Sequence, residues 1–91
     1  MLRNVSPKLL RRVVQLPQRS HVIRIEMTSV DSVGQDNTQR ARLGLFIVAH
    51  EGMVSYPKPG TAIARLKVGG ILALAQRPEV RWISTHRGYV S

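Results

Sequence analysis

Few side chains in this sequence can do covalent or acid–base chemistry. There are three histidines, at 21, 50 and 86, and five acids, Glu26, Asp31, Asp36, Glu51 and Glu79. Cysteine is absent, which excludes disulfides, thiolate nucleophiles and thiolate metal sites. The histidines lie far apart with no ligand-like spacing, which argues against a metal centre. Acid–base catalysis needs titratable groups converging on one bond, and no two carboxylates stand in a recognisable motif. Serine and histidine occur in no nucleophile-elbow context. Gly69-Gly70 lacks the spacing of a dinucleotide or P-loop motif and reads as a loose, closely packed helix start. The chain therefore reads as a non-enzyme with no cofactor.

What the sequence does offer is positive charge. Fourteen basic residues against five acids give a net charge of +9. That balance favours an acidic partner, nucleic acid or an anionic surface. Scattered arginines that only keep a small protein soluble are the plainer reading, since no run exceeds Arg11-Arg12. No stretch approaches the roughly 20 apolar residues of a membrane span, so no membrane partner is expected. Residues 9–16 are too short, and too interrupted by Arg11 and Arg12, for a secretory signal. The first 25 residues hold five arginines and no acid, a composition shared by organellar transit peptides and ordinary basic helices. The compartment stays open, cytoplasmic if the protein is free-standing. Ninety-one residues make one small domain, and 43% hydrophobic content is enough to fold it without staples. A chain of this size buries roughly 60–65% of its unfolded surface, so its core is thin.

The elements that must position any site are organised around residues 60–84. Thr61 to Lys67 alternates with a period of two, Ala62, Ala64 and Leu66 against Ile63, Arg65 and Lys67. Residues 71–75 are apolar helix formers, and Pro78 stops the helix for want of an amide proton. Residues 80–84 are β-branched and aromatic again. A strand–helix–strand unit of this length normally makes a right-handed crossover into parallel pairing.

Upstream, Ser6 caps a helix with Pro7 at its first position and Pro17 beyond its end. Leu9, Leu10, Val13, Val14 and Leu16 give it an apolar side. Residues 1–20 read as a basic helical appendage. In strand 21–28, Ile23, Ile25 and Met27 share one face, and Val22, Arg24 and Glu26 the other. Residues 29–35 are loop-like. Asp36 to Gln39 resembles a capping box opening a helix over 37–50. Ala41, Leu45, Val48 and Ala49 fall on one face of it, and Gly52 stands at a left-handed C-terminal cap. The rival is a buried strand over 45–49, which is continuously apolar. A short strand over 53–57 and a tight connection at Pro57-Lys58-Pro59-Gly60 follow.

The order strand, helix, strand, strand, helix, strand is that of an α+β, ferredoxin-like β-α-β-β-α-β sandwich. It predicts a four-stranded antiparallel sheet with two helices on one face. Strands are expected at 21–28, 53–57, 61–67 and 79–84, and helices at 37–50 and 69–77. The domain spans 21–84 with an extended tail over 85–91, and its core should include Ile23, Ile25, Leu45, Val48, Leu66, Leu72, Val80 and Ile83.

Ala64-Arg65-Leu66, the Leu/Ala-rich helix and Arg77-Pro78-Glu79-Val80-Arg81-Trp82-Ile83 resemble the end of the prosegments of subtilisin-like serine proteases. The resemblance covers about 25 residues well and the preceding 40 in element order only. It implies the same fold, and a protein that inhibits such a protease and helps it fold. An open sheet face carrying Arg24, Glu26, Arg65 and Trp82 would dock on the enzyme. The tail, His86, Arg87, Gly88, Tyr89, Val90 and Ser91, would run extended into the active-site cleft, with Tyr89 or Ser91 nearest the catalytic centre. Strict alternation pairs Val80 with Trp82 on one face. The resemblance instead buries both Val80 and Ile83, which requires an irregular start of the strand and turns Trp82 outward. Gly69-Gly70 departs from the prosegments, which often carry polar or acidic helix-starting residues there. Two other classes of function stay open. One is a basic nucleic-acid-binding protein, although strands 21–28 and 61–67 hold no aromatic to stack bases. The other is a non-catalytic adaptor or oligomerisation module.

Overall fold

A computed structural model describes residues 3–28 and 33–87, with side chains at all of these except 33–38. Its elements are α1 (Pro7–Gln15), β1 (Ser20–Met27), α2 (Val33–Ala49), β2 (Met53–Lys58), β3 (Thr61–Lys67), α3 (Val68–Leu74) and β4 (Val80–Thr85). From β1 onward this is the β-α-β-β-α-β order of a ferredoxin-like α+β fold.

The four strands form one sheet in the order β2-β3-β1-β4. β1 is antiparallel to both β3 and β4, and β2 is antiparallel to β3. β3 and β4 thus run the same way, but β1 lies between them, so the expected parallel pairing across α3 does not form. The two strand–helix–strand units interleave instead, each inserting a strand into the other.

One sheet face is apolar and covered. His21, Ile23, Ile25 and Met27 of β1, Ala62, Ala64 and Leu66 of β3, and Val80 and Ile83 of β4 are buried. Their apolar members form one core cluster with Leu43 and Ile47 of α2 and Ile71 and Leu74 of α3. Residues 1–20, read from the sequence as an appendage, add Val5, Leu9 and Val13 to that same cluster. Ser6 caps α1 by accepting from the Leu9 N–H at 3.2 Å. Just before it, the Ser6 N–H donates to the Ile83 carbonyl and the Ile83 N–H to the Asn4 carbonyl, both at 2.8 Å. This short parallel bridge covers part of the outer edge of β4, which would otherwise expose unpaired backbone groups.

Three expected core residues are corrected. Leu45 is 74%, Val48 64% and Leu72 37% exposed. α2 is a helix, not a strand, but it turns Leu43 and Ile47 to the sheet. These two are four residues apart and so stack on one face. The helix is already formed at Val33, so Asp36 to Gln39 lies within it rather than capping it.

The end of α2 differs from expectation in an informative way. The Gly52 N–H donates to the Ile47 carbonyl and the Glu51 N–H to the Val48 carbonyl, both at 2.9 Å. This is the hydrogen-bond pattern of a Schellman cap, and Glu51, with φ 61°, holds the left-handed position in place of Gly52. A side chain there costs about 1 kcal/mol relative to glycine. Glu51→Gly is therefore expected to stabilise the protein by roughly 0.5–1 kcal/mol, read as a rise in thermal midpoint. A fall would contradict the cap.

Candidate functional site

The face opposite the helices is left open, and alternation along the strands decides what it carries. Strand register places Met53, Arg65 and Val22 in one row across it. Ser55, Ile63, Arg24 and Ser84 form the next, and Thr61, Glu26 and Trp82 the third. The four residues expected on this face, Arg24, Glu26, Arg65 and Trp82, thus stand on it together.

Trp82 is there because β4 starts irregularly. Glu26 pairs with Trp82, but its neighbour Met27 pairs with Val80, leaving Arg81 as an extra residue. Such a bulge lets two residues three apart face the same side. Val80 and Ile83 are accordingly both buried, and Trp82 is half-buried on the open side.

Two of the expected tail residues are described. The His86 N–H donates to the Val22 carbonyl at 3.3 Å, carrying the ladder one step past β4. Its side chain is half-buried, and Arg87 beyond it is exposed. Gly88, Tyr89, Val90 and Ser91 lie outside the described residues.

The histidines have separate surroundings. His21 is buried, with Nε2 3.1 Å from the Leu16 carbonyl. His50, on the surface after α2, lies against the Phe46 ring at 4.6 Å between centroids. His86 is beside the open face. Among the described residues, no group of three or more His, Cys, Asp or Glu could hold a metal ion. No helix among them is long and apolar enough to cross a membrane.

Sequence reasoning missed one polar unit. The Glu79 side chain is 4% exposed, and Arg77 grips it with Nη2 at 2.7 Å and Nε at 3.1 Å. The Arg77 guanidinium also lies 5.2 Å from the Phe46 ring centroid, tying the turn to α2. The signal was present as opposite charges flanking Pro78, whose fixed φ holds them on one turn. Burial pushes the Glu79 carboxyl up, but the Arg77 hydrogen bonds, its own backbone N–H and nearby charges on Arg77 and Arg42 outweigh it, and its pKa lies below the usual value. A lowered folded pKa gives stability that is present above the unfolded value and lost as pH falls through the folded one. Glu79→Gln should therefore cost about 1–2 kcal/mol near neutral pH, because the freed Arg77 is 34% exposed and can turn to water. The variant should also lose part of the wild-type drop in thermal midpoint as pH falls below the usual glutamate value of about 4.3. Parallel pH profiles would contradict this account.

Fold and face together define a ferredoxin-like α+β protein with one helix-covered side and one open side. No protein-family model, curated protein or solved structure matches the chain.

Proposed function

We propose that the protein is a prosegment-like inhibitor and folding helper of a subtilisin-like serine protease. The observation that carries this reading is the open face bearing Arg24, Glu26, Arg65 and Trp82, with Trp82 turned onto it by the bulge in β4. A half-buried tryptophan on an open face of mixed polar and apolar residues is the residue type that anchors protein interfaces. Four strands about 4.8 Å apart span roughly 20 Å in each direction. Together with a tail that adds to the cleft, such a face would reach a standard interface of about 800 Å² per partner.

The ladder supports the second half of the mechanism. β4 is an outer strand, and His86 continues it in extended pairing. A chain leaving a sheet in this way is aligned to add as a strand to a cleft, with backbone bonds giving affinity and side-chain pockets specificity. The folded body fixes where the tail starts, at His86, which would lower the entropic cost of binding it. The charge of the face asks for an acidic docking surface on the enzyme.

The test is a titration of the full chain against a panel of subtilisin-like proteases, with hydrolysis of a small chromogenic substrate as readout. A parallel salt series with single-stranded nucleic acid separates the rival reading, whose affinity must fall steeply with salt. Stoichiometric inhibition of at least one protease is expected. Salt-dependent nucleic-acid binding without any inhibition would overturn the proposal.

A further inference from the structure

On the open face, near the turn between β2 and β3, is a depression of about 310 Å³. Arg24, Lys58 and His86 line it together with Ser55, Thr61, Ile63 and Pro57. Arg24 comes from β1, Ser55 and Lys58 from β2, Thr61 and Ile63 from β3, and His86 from the step beyond β4. Elements from across the whole sheet thus converge on it. Glu26 stands opposite Thr61 in the register but does not line the depression.

Two features ask for an anion. Arg24 Nε is shielded from solvent and has no hydrogen-bond partner. A buried donor without an acceptor is costly and rare enough to need an explanation. Further, neither Arg24 nor Lys58 has an ion-pair partner among the described residues. Thr61, only 7% exposed, forms part of the wall.

We propose that this depression binds a phosphate dianion, free or as the end group of a small monoester. Two permanent cations match the charge of about −1.5 to −2 that a phosphate monoester carries near neutral pH. The planar guanidinium of Arg24 offers paired N–H donors to phosphoryl oxygens. Ser55 and Thr61 add hydroxyl donors, and the His86 ring has an N–H in either protonation state. A carboxylate has one charge and two oxygens and would leave donors unused. A phosphodiester also has one charge, and no Phe, Tyr or Trp lines the depression to stack a base. The size fits a small ligand whose body rests over Ile63.

The proposal goes beyond protease docking and does not depend on it, because it is read on the free protein. The ¹⁵N-labelled full chain is titrated by NMR with inorganic phosphate, glycerol 3-phosphate, dimethyl phosphate and acetate at matched ionic strength. Saturable shifts are expected at the amides of Arg24, Ser55, Lys58, Thr61, Ile63 and His86 for the first two probes. Dimethyl phosphate and acetate should bind at least about tenfold more weakly. Tighter binding of glycerol 3-phosphate than of inorganic phosphate assigns the site to a monoester, and the reverse order assigns it to the free ion. Lys58→Gln, on an exposed side chain, and Arg24→Gln should each weaken binding roughly ten- to a hundredfold. Arg11→Gln, on α1, should leave it unchanged. Equal affinity for all four anions, shifts spread over every basic residue, or unchanged binding in Lys58→Gln would overturn the assignment.

Discussion

Ile47→Ala is expected to lower stability by about 2–5 kcal/mol, whereas Leu45→Ala on the same helix should change it by less than about 0.5 kcal/mol. The two side chains are both aliphatic and two positions apart, but Ile47 is 0% and Leu45 74% exposed. Truncating Ile47 removes its burial and leaves a cavity between α2 and the sheet, where it packs with Leu43, Leu66 and their neighbours. Truncating Leu45 leaves only a smaller surface side chain. In a domain of this size each kilocalorie moves the thermal midpoint by roughly 4–8 °C. Thermal denaturation followed by circular dichroism therefore separates the pair easily. Equal losses, or the reverse order, would mean that α2 is rotated about its axis.

Gly52→Ala should be the other large loss, about 1–3 kcal/mol or more. Here the cause is crowding rather than a cavity. A Cβ at Gly52 would stand 2.5 Å from Leu66 Cδ2, 2.7 Å from the Arg65 carbonyl oxygen and 2.9 Å from Ile47 Cγ2. One of these is backbone in the middle of β3 and cannot step aside without disturbing the sheet. The turn out of α2 passes so close to β3 that only a hydrogen fits between them. Gly69→Ala is the matched control, since a Cβ there meets nothing within 4 Å. A tolerated Gly52→Ala would show that the end of α2 does not approach β3 this closely.

These two variants also mark where the sequence was legible. Period-two alternation along 21–28 and 61–67 told which residues point to which side, so Arg24, Glu26 and Arg65 could be assigned to one face in advance. Ser6-Pro7 marks the start of α1, and Pro59-Gly60, where Gly60 has a φ of 80°, makes the turn before β3, although Pro57 and Lys58, expected in that turn, still belong to the edge strand β2. α2 was harder because it is apolar on two sides. Ala41, Leu45, Val48 and Ala49 satisfy helical spacing as well as Leu43 and Ile47 do, and spacing alone cannot say which stripe meets the sheet. The position of Gly52 after α2 predicts a left-handed backbone, yet the glycine serves a close approach to a strand distant in sequence. The bridge from Val5 to Ile83 was illegible for a similar reason. It is a long-range backbone pairing with no local signature, and without it residues 1–20 look separable from the domain. Trp82 lies between these cases, because its direction depends on a bulge that strict alternation would not supply.

The tail is where stability and inhibition should part. The full chain and a chain ending at Arg87 are compared for thermal stability and for inhibition of the same subtilisin-like protease. Nearly equal thermal midpoints are expected, because residues 88–91 lie beyond His86, the last paired residue among those described. A loss of inhibition of at least roughly a hundredfold is also expected, because the missing residues would fill the substrate subsites by strand addition. Equal inhibition by the two chains would contradict the product-like tail, and inhibition by neither would contradict the protease reading itself.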